Sequence, residues 1–298
     1  MIKLFTDTDT DVTPALAQEL GYQLMSMPFS LGDEQYYPYK EQATFDFKQY
    51  YQTLRDGALP KTSALSPVEY REYFEPHFKN GDDILYVHFS AAMSGTFSSM
   101  KLAVDELLQE YPKRKFYTID TKGISILSLQ IVYQVANLYK QGKTIDEILA
   151  WANEEVDKFA IFFYADNLKF FKRSGRVSGI SAVMGDLLDI KPIIHINNQG
   201  QMVSLAKSRG RKATLKKIVE MVSNSQQDLA DYKVLVAHAD ALDIANMAVS
   251  LLKERFGEDL DLEIVEVNPT IGGHCGPDAV GISFHAKGRE VLWLVYNL

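Results

Sequence analysis

The chain reads as an α/β protein of two lobes: an N-terminal domain built on a parallel sheet, residues 1–163, and a C-terminal α+β domain, residues 164–298. Three observations lead there. A length of 298 residues is large for one hydrophobic core and suits two. In the first half, short apolar runs alternate with amphipathic stretches, the pattern of β-α units on a parallel sheet. In the second half, strand-like runs crowd together and only two long helical stretches interleave with them, which favours paired strands.

Ile2–Thr6, Ile84–Phe89, Phe116–Ile119 and Phe159–Tyr164 are expected as strands of the first lobe. Ser66-Pro67-Val68-Glu69 and Thr144-Ile145-Asp146-Glu147 each set a hydroxyl at N-cap and a carboxylate three residues on, so each starts a helix, and Gly142 stops the helix before the second. The most apolar stretch, 124–139, carries Ser125, Ser128, Gln130, Gln134 and Asn137 and falls short of the ~20 residues that span a bilayer. It reads as a buried helix. From about Asp166 the expected strands are Ile190–Ile196, Met202–Leu205, Val234–Ala237, Leu262–Val267, Gly281–His285 and Val291–Tyr296, with helices over Lys212–Ser223 and Leu242–Phe256. Asn197-Asn198-Gln199-Gly200 predicts a hairpin turn.

With 46% apolar and 23% charged residues the chain should bury a sizeable core, which excludes disorder and collagen-like sequence. The single cysteine, Cys275, excludes an internal disulfide and a multi-cysteine metal site and suits a reducing compartment. Met1–Asp7 turns polar and acidic before an apolar signal segment can form, so a cytoplasmic location is expected. The net charge of −8 is unevenly spread. Between Lys169 and Lys217 stand eleven basic residues and two acidic ones, a local +9 that leaves −17 on the rest. Part of this is ordinary solvation of a helix such as 212–217. The functional reading is a docking face for a phosphate-bearing ligand or an acidic partner. Nucleic acid is not expected, because no binding motif accompanies the charge.

Four segments bear chemistry. Asp7-Thr8-Asp9-Thr10-Asp11-Val12-Thr13 follows the first strand, where open α/β sheets place ligands. Asp9-x-Asp11-x-Thr13 matches the opening of aspartate-nucleophile phosphotransferases. The same carboxylates also suit the start of a helix over 14–20. Ser90-Ala91-Ala92-Met93-Ser94-Gly95-Thr96-Phe97 lies between a strand and a helix over 97–111, where free N–H groups and hydroxyls can cradle an anion, though Ser94 can equally be a plain cap. Lys61-Thr62-Ser63 is a hydroxyl-rich turn before a capping box. Gly272-Gly273-His274-Cys275-Gly276-Pro277 is expected to be an irregular glycine loop presenting one titratable group, His274. His77, His88, His195, His238 and His285 are scattered and lack metalloprotease spacing, so no metal site is read; His88 and His195 are expected as satisfied core or sheet-end residues.

Taken in order, these segments resemble the DegV family, the fatty-acid-binding subunits of bacterial fatty acid kinase. The resemblance runs through Thr6-Asp7-Thr8-Asp9, Pro60-Lys61-Thr62-Ser63 with Ser66-Pro67, Ser94-Gly95-Thr96-Phe97 and Ile119-Asp120-Thr121-Lys122. It continues through Arg173-Ser174-Gly175-Arg176-Val177-Ser178, Ile190-Lys191-Pro192-Ile193, Arg209-Gly210-Arg211-Lys212-Ala213 and Gly273-His274-Cys275-Gly276-Pro277.

The resemblance implies two lobes clamping one long-chain fatty acid, with no other cofactor and no metal. It implies that Thr62, Ser94 and His274 bind the carboxylate, that Ser63, Gly95 and Thr96 support them, and that Arg173 joins the polar network. The chain itself is then no enzyme. A separate ATP-binding kinase subunit would make the acyl-phosphate, docking on Arg173, Arg176, Arg209 and Arg211, with transient contact at a membrane surface. Two readings compete: a phosphatase using Asp9 and Asp11, and a lipid hydrolase pairing Ser94 with His274. Three departures from the family pattern bear on the ligand: the bulky run 123–129, which would shorten or redirect the tail pocket, Asp278 in place of glycine, and Ala91-Ala92 in place of Ser-Gly.

Overall fold

The first sheet is parallel throughout: Ile2–Asp7 (β1) pairs with Tyr22–Met25 (β2) on one side and Asp83–His88 (β6) on the other, and Phe116–Asp120 (β7) adds to β6. A computed structural model describes residues 1–40, 44–178 and 189–292. Between β2 and β6 a small antiparallel sheet forms from Phe29–Leu31 (β3), Glu34–Tyr36 (β4) and Lys61–Thr62 (β5), in the order β4-β3-β5. The helices of this half are Pro14–Leu20 (α1), Phe47–Arg55 (α2), Pro67–Lys79 (α3), Thr96–Glu110 (α4), Ile126–Lys140 (α5) and Ile145–Glu155 (α6). Both expected capping boxes are present: Ser66 and Glu69 open α3, and Thr144 and Glu147 open α6.

The second sheet has the order β13-β12-β14-β8-β10-β11-β9. Its strands are Phe159–Tyr164 (β8), Val177–Ser178 (β9), Ile190–Ile196 (β10), Met202–Arg209 (β11), Val234–His238 (β12), Leu262–Glu266 (β13) and Val280–His285 (β14). Its helices are Lys169–Ser174 (α7), Arg211–Ser225 (α8), Leu242–Phe256 (α9) and Pro269–Cys275 (α10). Asn197–Gly200 turns β10 into β11 as expected, with Gly200 at φ 75°. The expected strand Val291–Tyr296 begins helical at 291–292 and otherwise lies outside the described residues.

One strand belongs elsewhere than its sequence suggests. Phe159–Tyr164 pairs antiparallel with β10 and β14 and so lies at the middle of the second sheet instead of closing the first. Its odd residues join the core shared with the first lobe, and its even ones join the core under α8 and α9. A strand buried on both faces reads as one continuous apolar run in either sheet, so the pattern does not say which sheet it joins. The helix α5 is buried nearly all round over 126–132 because it packs against strands of both sheets. Among the described residues, no helix is long and apolar enough to cross a membrane.

Candidate functional site

A cavity of about 220 Å³ opens between the lobes. The second sheet supplies one apolar wall, with Ile161 and Phe163 of β8, Ile196 of β10 and Val280 of β14, and the first lobe closes it with Phe89 and Ile124. Seven hydroxyl or imidazole groups line this cavity: Thr62, Ser63, Ser94, Thr96 and His274, with Gly95 among them, and in addition Ser125 and Thr270. Residues from three separate motifs thus share one site. A second, polar cavity of about 320 Å³ adjoins it and shares Thr62, Arg176 and His274.

Each group is held by its element. Thr62 is fixed by antiparallel pairing with Phe29 of β3. The α4 helix begins at Thr96, and Ser94 Oγ accepts from the Thr96 N–H at 3.2 Å. Thr96 itself is buried and committed, since its Oγ1 accepts from the Leu65 N–H at 3.1 Å and bonds the Tyr70 hydroxyl at 2.9 Å.

His274 does not stand in a loop. Residues 269–275 form α10, started by Pro269 and by the Asn268 side chain, which accepts from the Thr270 N–H at 3.0 Å. The glycines serve helix packing. A Cβ on Gly272 would lie 2.4 Å from the Tyr51 hydroxyl, and one on Gly273 2.7 Å from Pro60 Cγ. Counting glycines as breakers hid this, because here they let a helix approach its neighbours. From α10, His274 Nε2 shares a 3.0 Å hydrogen bond with Thr62 Oγ1. Burial first, then the nearby Arg176 and Arg173, push its pKa down to about 4, so the imidazole is neutral near pH 7.

The basic residues divide. Arg173 donates to the Pro60 carbonyl and lines the polar cavity, and Arg176 borders both cavities. Arg209 and Arg211 line neither. Arg211 is paired with Asp166 and Asp278, and Lys191 is buried against Asp166 and Asp189, so the +9 window is partly neutralised within the fold. Asp278 takes φ 65°, a conformation that glycine adopts without strain, while pairing with Arg55 and Arg211. Of the bulky run 123–129, only Ile124 and Ser125 reach the cavity, while Leu127 and Leu129 fill the core.

The aspartates after β1 do not cap α1, whose N-cap is Thr13. Asp7 accepts from the Tyr86 hydroxyl at 2.8 Å and the Asp9 N–H at 3.0 Å. Asp11 accepts from the Asn268 N–H at 2.8 Å and from the Ser125 hydroxyl, while Asp9 accepts from the Thr270 hydroxyl. Burial raises all three, Asp9 to about 6 and Asp11 to about 7. The bonds of Asp11 to Asn268 and of Asp9 to Thr270 tie the first lobe to the start of α10, a role that no local pattern signals because the partners are distant in sequence. Ser125, Asn268, Thr270 and the buried Arg289 are likewise absent from the sequence-based site. His195, expected to be satisfied, bonds the Ile161 carbonyl through Nδ1 at 3.1 Å but leaves Nε2 without a partner among the described residues.

Neither competing reading is supported. The phosphatase reading loses Asp11, both of whose oxygens serve structural bonds, and among the described residues no group of three or more His, Cys, Asp or Glu could hold a metal. The hydrolase reading lacks its pair, since among the described residues no hydrogen bond joins Ser94 to His274: His274 Nε2 bonds Thr62, and Ser94 Oγ accepts from the Thr96 N–H.

A family model described as "Uncharacterised protein, DegV family" matches residues 1–287. A DegV domain-containing protein of Clostridium perfringens is 30% identical over 287 residues, covering 96% of this chain and 98% of its own. Among solved structures, a fatty-acid-binding DegV family protein of Streptococcus agalactiae is similar at 28% identity and TM-score 0.83, covering 97% of this chain and 99% of its own. A DegV family protein of Ruminococcus gnavus, solved with vaccenic acid, shares the fold at TM-score 0.84 and 23% identity, covering 95% of this chain and 99% of its own.

Proposed function

The chain belongs to the DegV family, and on that premise we propose that it binds one long-chain fatty acid between its lobes and presents the carboxylate to a separate ATP-dependent fatty acid kinase subunit. The observation that carries this reading is the cavity itself: lined mostly by apolar side chains, with Thr62, Ser94 and His274 among the polar groups on it. A carboxylate taken from water needs several donors, because an unpaired buried charge is very costly. In this reading Thr62, Ser94 and a neutral His274 supply them, Ser63, Gly95 and Thr96 frame them, and Arg173 balances the charge from the adjoining polar cavity. The chain contributes no nucleophile, and the phosphoryl chemistry is the partner's. Arg173 and Arg176, at the polar cavity, would meet the new phosphate, with Arg209 and Arg211 on the wider docking face. The work is placed in the cytoplasm, with transient contact at a membrane surface.

Extraction of the purified protein and mass spectrometry of the extract should yield a long-chain acyl ligand. Recovery without one, together with no uptake of added fatty acid, would sink the reading. Ser94→Ala and His274→Ala should each weaken fatty acid binding about tenfold or more, the worth of a hydrogen bond to a charged group. Unchanged affinity in both would contradict the assigned carboxylate end.

A further inference from the structure

The cavity wall carries a second polar point that carboxylate binding leaves unused. Of the three buried aspartates, Asp7 has both oxygens engaged, Oδ1 by the Asp9 N–H and Oδ2 by the Tyr86 hydroxyl. Asp11 likewise uses Oδ1 for the Asn268 N–H and Oδ2 for the Ser125 hydroxyl. Asp9 differs in two independent ways. It alone of the three lines the cavity, and only its Oδ1 is bonded, by Thr270, which leaves Oδ2 without a hydrogen-bond partner among the described residues in a side chain only 9% exposed.

Its depth follows from α10. Thr270 and His274 are four residues apart, so they share one helix face and stand about 6 Å apart along the axis. Both line the apolar cavity, but only His274 also borders the polar one, whose Lys61, Arg173 and Arg176 are exposed, which puts Thr270 and its partner Asp9 one turn inward. A plain hydrocarbon laid across this point would bury a carboxyl oxygen against methylenes with nothing to bond, which is unfavourable. A donor on the ligand at that depth would remove the cost, and sites built to bond a hydroxyl discriminate strongly against analogues that lack it.

We propose that the cavity takes a fatty acid bearing a hydroxyl near its carboxyl end, hydrogen-bonded to Asp9, in preference to an unsubstituted chain. This rests on the fatty-acid reading above and narrows its ligand class.

The test is to titrate delipidated protein with octadecanoic, 3-hydroxyoctadecanoic and 12-hydroxyoctadecanoic acids. The 3-hydroxy acid should bind about tenfold to a hundredfold more tightly than octadecanoic acid, the range for a hydrogen bond to a charged or strongly polar group, and the 12-hydroxy acid should gain nothing. In Asp9→Leu the ratio of 3-hydroxy to plain affinity should collapse to about one, whereas Asp9→Asn, which keeps an acceptor, should retain part of it. Because the ratio is read within one protein, a general loss of stability cannot imitate the effect, and the wild-type ranking decides alone if a variant does not fold. Equal or weaker binding of the 3-hydroxy acid by wild type, or preference for the 12-hydroxy acid, would overturn the inference while leaving the fatty-acid reading standing. Failure of all three acids to bind would overturn the fatty-acid reading itself.

Discussion

One buried arginine and a pair of buried aspartates fasten the lobes together, and they work by different means. Among the described residues Arg289, fully buried, donates only to backbone carbonyls: Phe159 at 2.6 Å, Lys122 at 2.6 Å, Val156 at 2.9 Å, Thr121 at 3.2 Å and Asn197 at 3.4 Å. These belong to the end of β7, the approach to β8 and the β10–β11 hairpin, so one side chain stitches segments of both sheets. Burial lowers its pKa to about 10, and it stays charged at neutral pH. On the aspartate side, Asp9 and Asp11 reach across to Thr270 and Asn268, and burial lifts them into the range where they change charge near neutrality. The contrast teaches that a fixed cation spread over many carbonyls makes a joint indifferent to pH, while carboxylates at a similar joint make one that responds to it.

The largest expected effect comes from breaking the cationic joint. Arg289→Met keeps much of the side-chain volume but leaves the carbonyls of Thr121, Lys122, Val156, Phe159 and Asn197 without this donor. A loss of about 3–5 kcal/mol is expected, as for one partner removed from a buried charged network, measured by urea unfolding at pH 7. A loss below about 1 kcal/mol would mean that water replaces the guanidinium and that the joint is not a joint.

Asp11→Asn sharpens the other side. The amide can still accept from the Asn268 N–H while donating to Ser125, so the contact survives and the titration does not. The sign follows from linkage: folded Asp11 holds its proton up to about 7, whereas the unfolded carboxyl releases it near 3.8. Between those values the folded state binds more protons, so this group's contribution to stability falls as pH rises and is fully lost above 7. Wild type should therefore lose about 2–4 kcal/mol relative to Asp11→Asn between pH 4 and 8. His274, whose folded pKa is depressed, contributes the opposite slope between about 4 and 6.5, but both proteins share it and it cancels in the difference. Parallel stability curves for the two proteins would remove the titrating joint from the comparison.

The two joints also differ in how far sequence could foresee them. Local chemistry was legible: the capping boxes at Ser66 and Thr144, the hairpin at Asn197–Gly200, and the hydroxyls at 62 and 94, which do meet His274 on one cavity. Each depends on residues near in the chain, or on a motif whose spacing carries the signal. Arg289 carries no such signal, because a lone arginine among apolar residues looks the same whether it snorkels to solvent or threads a core. The aspartates looked like helix caps or a phosphatase motif because only nearby partners could be weighed, whereas Ser125, Asn268 and Thr270 lie 114, 257 and 261 residues away. The sheet membership of Phe159–Tyr164 was hidden by its burial on both faces.

The smallest expected effect tests whether the aspartate joint is held in place by charge or by shape. Gly272 lets α10 approach Tyr51, whose hydroxyl donates to the Val267 carbonyl at 2.9 Å just before the Asn268 N–H that Asp11 accepts. In Gly272→Ala the new methyl would fall on that hydroxyl, so the tyrosine must move or α10 must retreat. A destabilisation of about 1–3 kcal/mol is expected, typical of one methyl forced into a packed interface. If α10 retreats, Asp11 loses its partner, and Gly272→Ala should couple to Asp11→Asn by about 0.5 kcal/mol or more in a double-mutant cycle. Paired with Arg289→Met, the same substitution should be additive within about 0.5 kcal/mol, because among the described residues no hydrogen bond joins Arg289 to α10 or to Asp11. Coupling of Gly272→Ala to Arg289→Met as strong as to Asp11→Asn would show one network spanning the whole junction, and the distinction between a fixed joint and a titrating one would have to be abandoned.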